Sequence, residues 1–220
     1  MAKKKQDKFE KQEEQLQEVN NALTGAGQWI EKHSKALSWG VTIIVLIVLG
    51  IMLYQQYVIA PRHRAATEEN YENYQALVSG NVAEAAEGFA ATADKYDVQE
   101  GKLAAVFAGT SYFHMGQYQD AIDYLEKFSS EDPHVNAAAK LLIGDAYVEL
   151  GQYEDAINAY EAATATGHEV FAPISLKKAG FAYLKLNDKK GAHEAFAAVK
   201  ANYPASIEAQ DIDKYIELTK

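Results

Sequence analysis

A chain of 220 residues with a net charge of −10 and no cysteine has no disulfides, thiolate metal sites, thiol catalysis or lipidated N-terminal cysteine. The acidity is uneven: residues 61–220 hold 14 Lys or Arg against 25 Asp or Glu, whereas residues 1–35 hold seven against six. A part this acidic argues against nucleic acid or an anionic lipid surface as its main ligand.

Residues 1–35 read as a polar segment with one short amphipathic helix. After a charged start, Phe9, Leu16, Val19 and Leu23 recur at spacings of seven, three and four, a thin apolar stripe on an otherwise charged helix. That stripe suits a membrane surface or a partner helix, and equally a short solvated helix. Gly25 and Gly27 break it, and QWIEKHSKAL from Gln28 leads into the next segment.

Between Lys35 and Arg62 there is no charged residue, and within that window runs VTIIVLIVLGIML, Val41 to Leu53. Residues 36–60 read as a transmembrane signal anchor, because a helix of about 20 residues crosses a hydrocarbon layer of ~30 Å. Ten of those thirteen residues are Val, Ile or Leu, together favouring insertion by about 3 to 6 kcal/mol. Trp39 at one end and Tyr54 and Tyr57 at the other fall where interfacial aromatics are expected. A core helix of a soluble domain is the alternative, but such a helix is rarely apolar on every face. A cleaved signal peptide fits less well. The preceding segment is long and mixed in charge, and Pro61 would directly follow the imitation cleavage site Val58-Ile59-Ala60. Seven Lys precede the span, against Arg62 and Arg64 just after it, which places the N-terminus in the cytoplasm.

Residues 61–204 repeat. GNVAEAAEGFA from Gly80, GQYQDAIDYLE from Gly116, GQYEDAINAYE from Gly151 and NDKKGAHEAFA from Asn187 begin 36, 35 and 36 residues apart. The segments before the last three carry Gly109 with Tyr112, Gly144 with Tyr147 and Gly180 with Tyr183. Helix A, a short turn and helix B, with Pro133 and Pro204 after two of the units, make the pattern of tetratricopeptide repeats, in which small residues lie where helices cross closely. One helix pair cannot bury its apolar face alone, so stacked neighbours supply the core. The first unit is degenerate: its helix A, about 65–79, lacks the Gly-x-x-Tyr pattern, and Gly88 weakens its helix B. Residues 205–220 read as a capping helix with Ile207, Ile212, Tyr215, Ile216 and Leu218 partly on one face. The expected fold is all-α: one transmembrane helix, then a solenoid of about four helix pairs and a C-terminal cap.

No catalytic or metal constellation stands out, and no cofactor is expected. There is no His-Glu-x-x-His and no phosphate loop, and His33, His63, His114, His134, His168 and His193 never pair at ligand spacing on one helix face. The chain reads as a non-enzymatic binding protein. In such repeats helix A lines a concave groove, and its usual positions select Asn70, Tyr74, Val106, Thr110, Phe113, Asp145, Val148, Glu149, Lys177, Phe181 and Lys185. His114 falls near the same face. Tyr74, Phe113 and Phe181 are large apolar surfaces suited to polypeptide, or else contacts to the next repeat.

The stretch Gln28-Trp29-Ile30-Glu31-Lys32-His33-Ser34-Lys35-Ala36-Leu37 running into one span, followed by a small acidic repeat domain, resembles the YfgM type of ancillary subunit of the bacterial Sec translocon. The resemblance covers nearly the whole chain, although the N-terminal segment is longer than that of the best-known members. It implies a bitopic protein of the bacterial inner membrane with a periplasmic repeat domain. The implied partners are translocon channel subunits, a membrane-bound prolyl isomerase-like chaperone and newly translocated polypeptides. The rival expectation is a cell-envelope assembly or division scaffold that binds another structural protein.

Overall fold

The computed structural model describes residues 24, 29, 31–36, 38–130 and 132–220. The amphipathic stripe from Phe9 to Leu23 therefore lies outside the described residues. The chain divides into two units, Met1–Ala60 and Pro61–Lys220.

In the first unit, residues 31–36 and 38–54 are helical; the latter stretch is α1, and a wider turn of π type, Gln55–Ile59, follows it. Every large apolar side chain from Val41 to Leu53 is exposed, and none of the apolar window is buried. The chain does not use this helix as a core element. The hydroxyls of Ser38 and Thr42 donate to the Lys35 and Ser38 carbonyls at 2.9 and 2.8 Å, so each is satisfied inside the helix itself.

The second unit consists of antiparallel helix pairs: α2 (Ala60–Val78) with α3 (Val82–Lys95), α4 (Gln99–His114) with α5 (Tyr118–Glu126), α6 (Pro133–Glu149) with α7 (Tyr153–Thr164), and α8 (Phe171–Lys185) with α9 (Lys189–Asn202). The pairs number four, as the spacing predicts. The four repeat starts are the turns. Gly80, Gly116 and Gly151 have φ of 85, 76 and 75°, and Asn187 has φ of 60°, the left-handed region that Gly enters freely and Asn tolerates. There the Gln117, Gln152 and Asp188 amides donate back to the Tyr112, Tyr147 and Tyr183 carbonyls at 2.9 Å, the helix-ending motif that satisfies otherwise orphaned carbonyls. Asp188 also caps α9, accepting from the Gly191 amide at 2.9 Å, and Asp132 caps α6 just before Pro133.

Within a pair, a glycine on helix A faces a large side chain on helix B. A Cβ at Gly109, Gly144 or Gly180 would lie 2.6 Å from Leu125, 2.4 Å from Tyr160 and 2.4 Å from Phe196, respectively. Leu125, Tyr160 and Phe196 are buried, as are Ala121, Ala156 and Ala192 on the same helices. Each fully buried Leu or Phe contributes roughly 1.5–3 kcal/mol, so each repeat stabilises itself through one close crossing.

The first repeat keeps a large buried residue, Phe89, at the position of Leu125, Tyr160 and Phe196, and adds a different fit beside it. Asn73 stands where the later repeats have glycine, and a Cβ at Gly88 would meet its Oδ1 at 2.1 Å. Gly88 is thus not merely a weak helix residue; it makes room for Asn73, whose Nδ2 donates to Thr92 Oγ1 at 3.1 Å. Glu69 adds a polar tie, accepting from Tyr96 Oη at 2.7 Å and from Lys95 Nζ at 2.5 Å. Helix A of this repeat also starts earlier than expected, at Ala60.

The C-terminal cap differs from the expected single helix. A 3-10 turn, Glu208–Asp211, precedes α10 (Ile212–Leu218). Ile212, Tyr215 and Ile216 pack onto Phe196 and Val199, whereas Ile207 and Leu218 are exposed. Pro204 follows the end of α9 at Asn202 and Tyr203, where proline commonly stops a helix; Ile207 lies before α10, and Leu218 sits about 120° around that helix from Ile212.

Candidate protein-binding groove

The helix A positions of repeats two to four enclose a cavity of about 280 Å³ lined by Phe113, Asp145, Val148, Glu149, Tyr153, Tyr160, Lys178, Phe181, Ala182 and Lys185. Six of the twelve residues picked out from the sequence meet there: Phe113 from α4, Asp145, Val148 and Glu149 from α6, and Phe181 and Lys185 from α8.

Its floor is organised around one carboxylate. Tyr160 Oη donates to Asp145 Oδ1 at 2.6 Å, and Lys178 Nζ donates to Asp145 Oδ1 and Oδ2 at 2.7 and 2.9 Å. Three helices, α6, α7 and α8, are thereby tied at one point. Burial, reinforced by the bond to Asp145, pushes the Tyr160 phenol well above its usual range, so it remains a donor. Because Lys178 neutralises Asp145, the remaining charges of the lining are Lys185 and Glu149, and both are exposed. The result is an apolar, partly aromatic hollow with one cation and one anion beside it.

Phe181 is 37% exposed. Its ring also makes edge contacts with Phe196 and Tyr215 at centroid distances of 5.4 and 4.9 Å. The ring thus serves both the cavity and the packing against the C-terminal cap. Phe113 is half-buried, with Tyr118 edge-on at 5.5 Å and His114 at 6.0 Å.

The other six residues lie elsewhere. Asn70 Nδ2 donates to the Glu100 carbonyl at 2.9 Å, and its Oδ1 is buried without a partner. Tyr74 is exposed on α2 beside Tyr71 and Val78. Val106 packs against the core around Ile122 and Ile143. Thr110 is half-buried, and His114 is exposed at the end of α4. Lys177 is committed to Asp211 at 2.6 Å, so a groove role for it gives way to a link between α8 and the C-terminal cap.

Four lining residues were not picked out from the sequence: Tyr153, Tyr160, Lys178 and Ala182. Tyr160 occupies the repeat position of Leu125 and Phe196, which signals core packing; that its hydroxyl reaches Asp145 is visible only in three dimensions. Lys178 was one residue away from the position chosen, and the ion pairs separate the two lysines. Among the described residues, no group of three or more His, Asp or Glu could hold a metal ion.

Tetratricopeptide-repeat family profiles match residues 74–136, 112–174 and 176–206. No curated protein matches the sequence. Solved structures with a similar fold include MamA, at 19% identity and a TM-score of 0.53 over 67% of this chain and 91% of that one. A tetratricopeptide repeat protein from Parabacteroides merdae matches at 19% identity and a TM-score of 0.57, over 71% of this chain and 60% of that one. PilW, a type IV pilus biogenesis factor, matches at 21% and 0.53, over 67% and 66%. At these identities the likeness shows the fold alone. The second unit of the chain is a tetratricopeptide-repeat solenoid, all-helical among its described residues.

Proposed function

We propose that this protein is a single-span membrane scaffold that binds polypeptide in the cavity between Phe113, Val148 and Phe181. The observation that carries the reading is that cavity itself: an apolar, aromatic hollow assembled from three successive helix A elements, of the kind that takes an apolar anchor of a peptide. The anchor rests on α1, whose large apolar side chains from Val41 to Leu53 are all exposed and whose Ser38 and Thr42 hydroxyls donate to carbonyls about one turn back, as a lipid environment requires. The excess of Lys before the span favours a cytoplasmic N-terminus and an extracytoplasmic repeat domain.

The finer reading is an accessory, chaperone-like subunit at the bacterial Sec translocon that receives newly translocated polypeptides in the periplasm. It rests on the resemblance of the juxtamembrane stretch and of the overall architecture. Purification of the tagged full-length protein in mild detergent tests it. Channel subunits or a membrane-bound prolyl isomerase-like chaperone in the eluate support it, and envelope-assembly or division proteins in their place overturn it in favour of a structural scaffold.

A further inference from the structure

His134 and His168 are 34 residues apart, and nothing in their local sequence links them. The fold joins them at the N-terminal ends of α6 and α8, with His168 Nε2 and His134 Nδ1 2.7 Å apart and ring centroids at 4.0 Å. The surroundings fix the protons. The Val170 and Phe171 amides both point at His168 Nδ1, at 3.2 and 3.3 Å. A backbone N–H can only donate, so this nitrogen accepts and the ring's proton is on Nε2. His168 Nε2–H therefore donates to His134 Nδ1.

Each ring thus already uses its one basic nitrogen as an acceptor. A proton added to His134 Nδ1 removes the link between the third and fourth repeats. A proton added to His168 Nδ1 removes the acceptor for the first turn of α8. Either imidazolium would also stand near a helix N-terminus, whose dipole opposes a positive charge. The flanking carboxylates, Asp132 and Glu169, pull the other way, with Asp132 Oδ1 already accepting from the His134 amide at 2.8 Å. The first lysine of α6, Lys140, points to the Ala162 carbonyl at 3.5 Å, and the first of α8, Lys177, to Asp211. The loop from α7 brings the uncharged Thr166, whose Oγ1 is 3.4 Å from the His168 amide.

The same protons argue against a metal ion. Ligation through His168 Nε2 would move the proton to Nδ1, against two N–H donors, whereas a ligating imidazole donates from its second nitrogen. The pair suits a proton switch instead. It joins α6 and α8 at their N-terminal ends, about 16 Å along α6 from the Asp145–Lys178 pair that ties the same two helices beside the cavity.

We infer that the His134–His168 pair is a pH-sensitive strap that holds the N-terminal ends of α6 and α8 together while neutral and releases them on acidification. Because the chain has no cysteine, spin labels introduced at Val135→Cys and Val170→Cys, beside the pair, report the distance between the two N-terminal ends without background. In the full-length protein in detergent, that distance should lengthen or broaden between about pH 8 and pH 5.5, the range in which imidazoles change charge. The change should be absent when His134→Gln and His168→Asn are combined. Hydrogen exchange at the Val170 and Phe171 amides, corrected for intrinsic rate, should lose roughly three- to tenfold of its protection over the same range, about the net worth of one hydrogen bond. Identical distances and protection at both pH values, or the same change in the double-histidine variant, would overturn the strap. No partner is present in either measurement, so its failure is distinct from failure of the groove reading.

Discussion

Replacing Gly180 by alanine sets two effects of opposite sign against each other. In an open helix, Gly→Ala gains about 1 kcal/mol from backbone entropy. In α8 the new Cβ would lie 2.4, 2.7 and 2.8 Å from Phe196 Cε1, Cζ and Cδ1, where ordinary contact begins at 3.4 Å. The Phe196 ring would have to retreat by about 1 Å. It has no room: Phe196 is fully buried, stacked on Tyr215 at 5.3 Å and edge-on to Phe181 at 5.4 Å. Overpacking of this kind costs about 1–3 kcal/mol, so the net effect should be a loss of roughly 0–2 kcal/mol, up to a few degrees in Tm for a domain of this size. Thermal unfolding followed by circular dichroism measures it. In a Phe196→Leu background the clash is gone, and the same Gly180→Ala change should become neutral or stabilising. If Gly180→Ala stabilises the otherwise unaltered protein by about 1 kcal/mol, the close crossing of α8 and α9 is misread.

Gly151 should fail for a different reason: its φ of 75° is left-handed and open space surrounds it, so Gly151→Ala should cost about 1–2 kcal/mol by conformation alone. Gly151→Asn should cost clearly less in the same unfolding assay, since Asn187 occupies the equivalent turn at φ 60°. Hydrogen bonds from Lys177 and then Lys214 hold the Asp211 carboxyl down to about 2. This tie between α8 and the cap is complete above the ordinary carboxylate range and lost as pH falls through about 2; an NMR titration should find that midpoint, and Lys177→Met should raise it. Protease added to osmotically opened cells should digest the domain beyond Arg62 and spare an N-terminal tag, the reverse pattern contradicting the proposed orientation.

What the sequence made legible was whatever repeats. The four starts from Gly80 to Asn187 coincide with four of the five left-handed positions among the described residues, Gly167 being the fifth, and the Gly109, Gly144 and Gly180 spacing marks three crossings that leave no room for a Cβ. Departures from the repeat were harder to read. Asn73 replaces the helix A glycine, and Gly88, one residue before the retained Phe89, makes room for it, which a one-residue pattern cannot show. In the groove, the register of α6 identifies Asp145, Val148 and Glu149. It does not decide which lysine of α8 meets them, because Lys177 and Lys178 diverge by about 100° around the helix and only the partners Asp211 and Asp145 separate them. The His134–His168 pair was not legible at all, since it joins the ends of two repeats through loops whose course no periodicity determines.

Site-specific photo-crosslinking from within the cavity shows whether polypeptide occupies it. A photoreactive residue at Val148, on the cavity wall, is compared with one at Glu154, exposed on α7, in the full-length protein in its own membrane. Polypeptide adducts are expected from position 148, reduced when Phe113→Ser removes a ring of the same cavity, and few from position 154. Equal yields from the two positions, or adducts from position 148 unaffected by Phe113→Ser, would contradict polypeptide binding in the cavity.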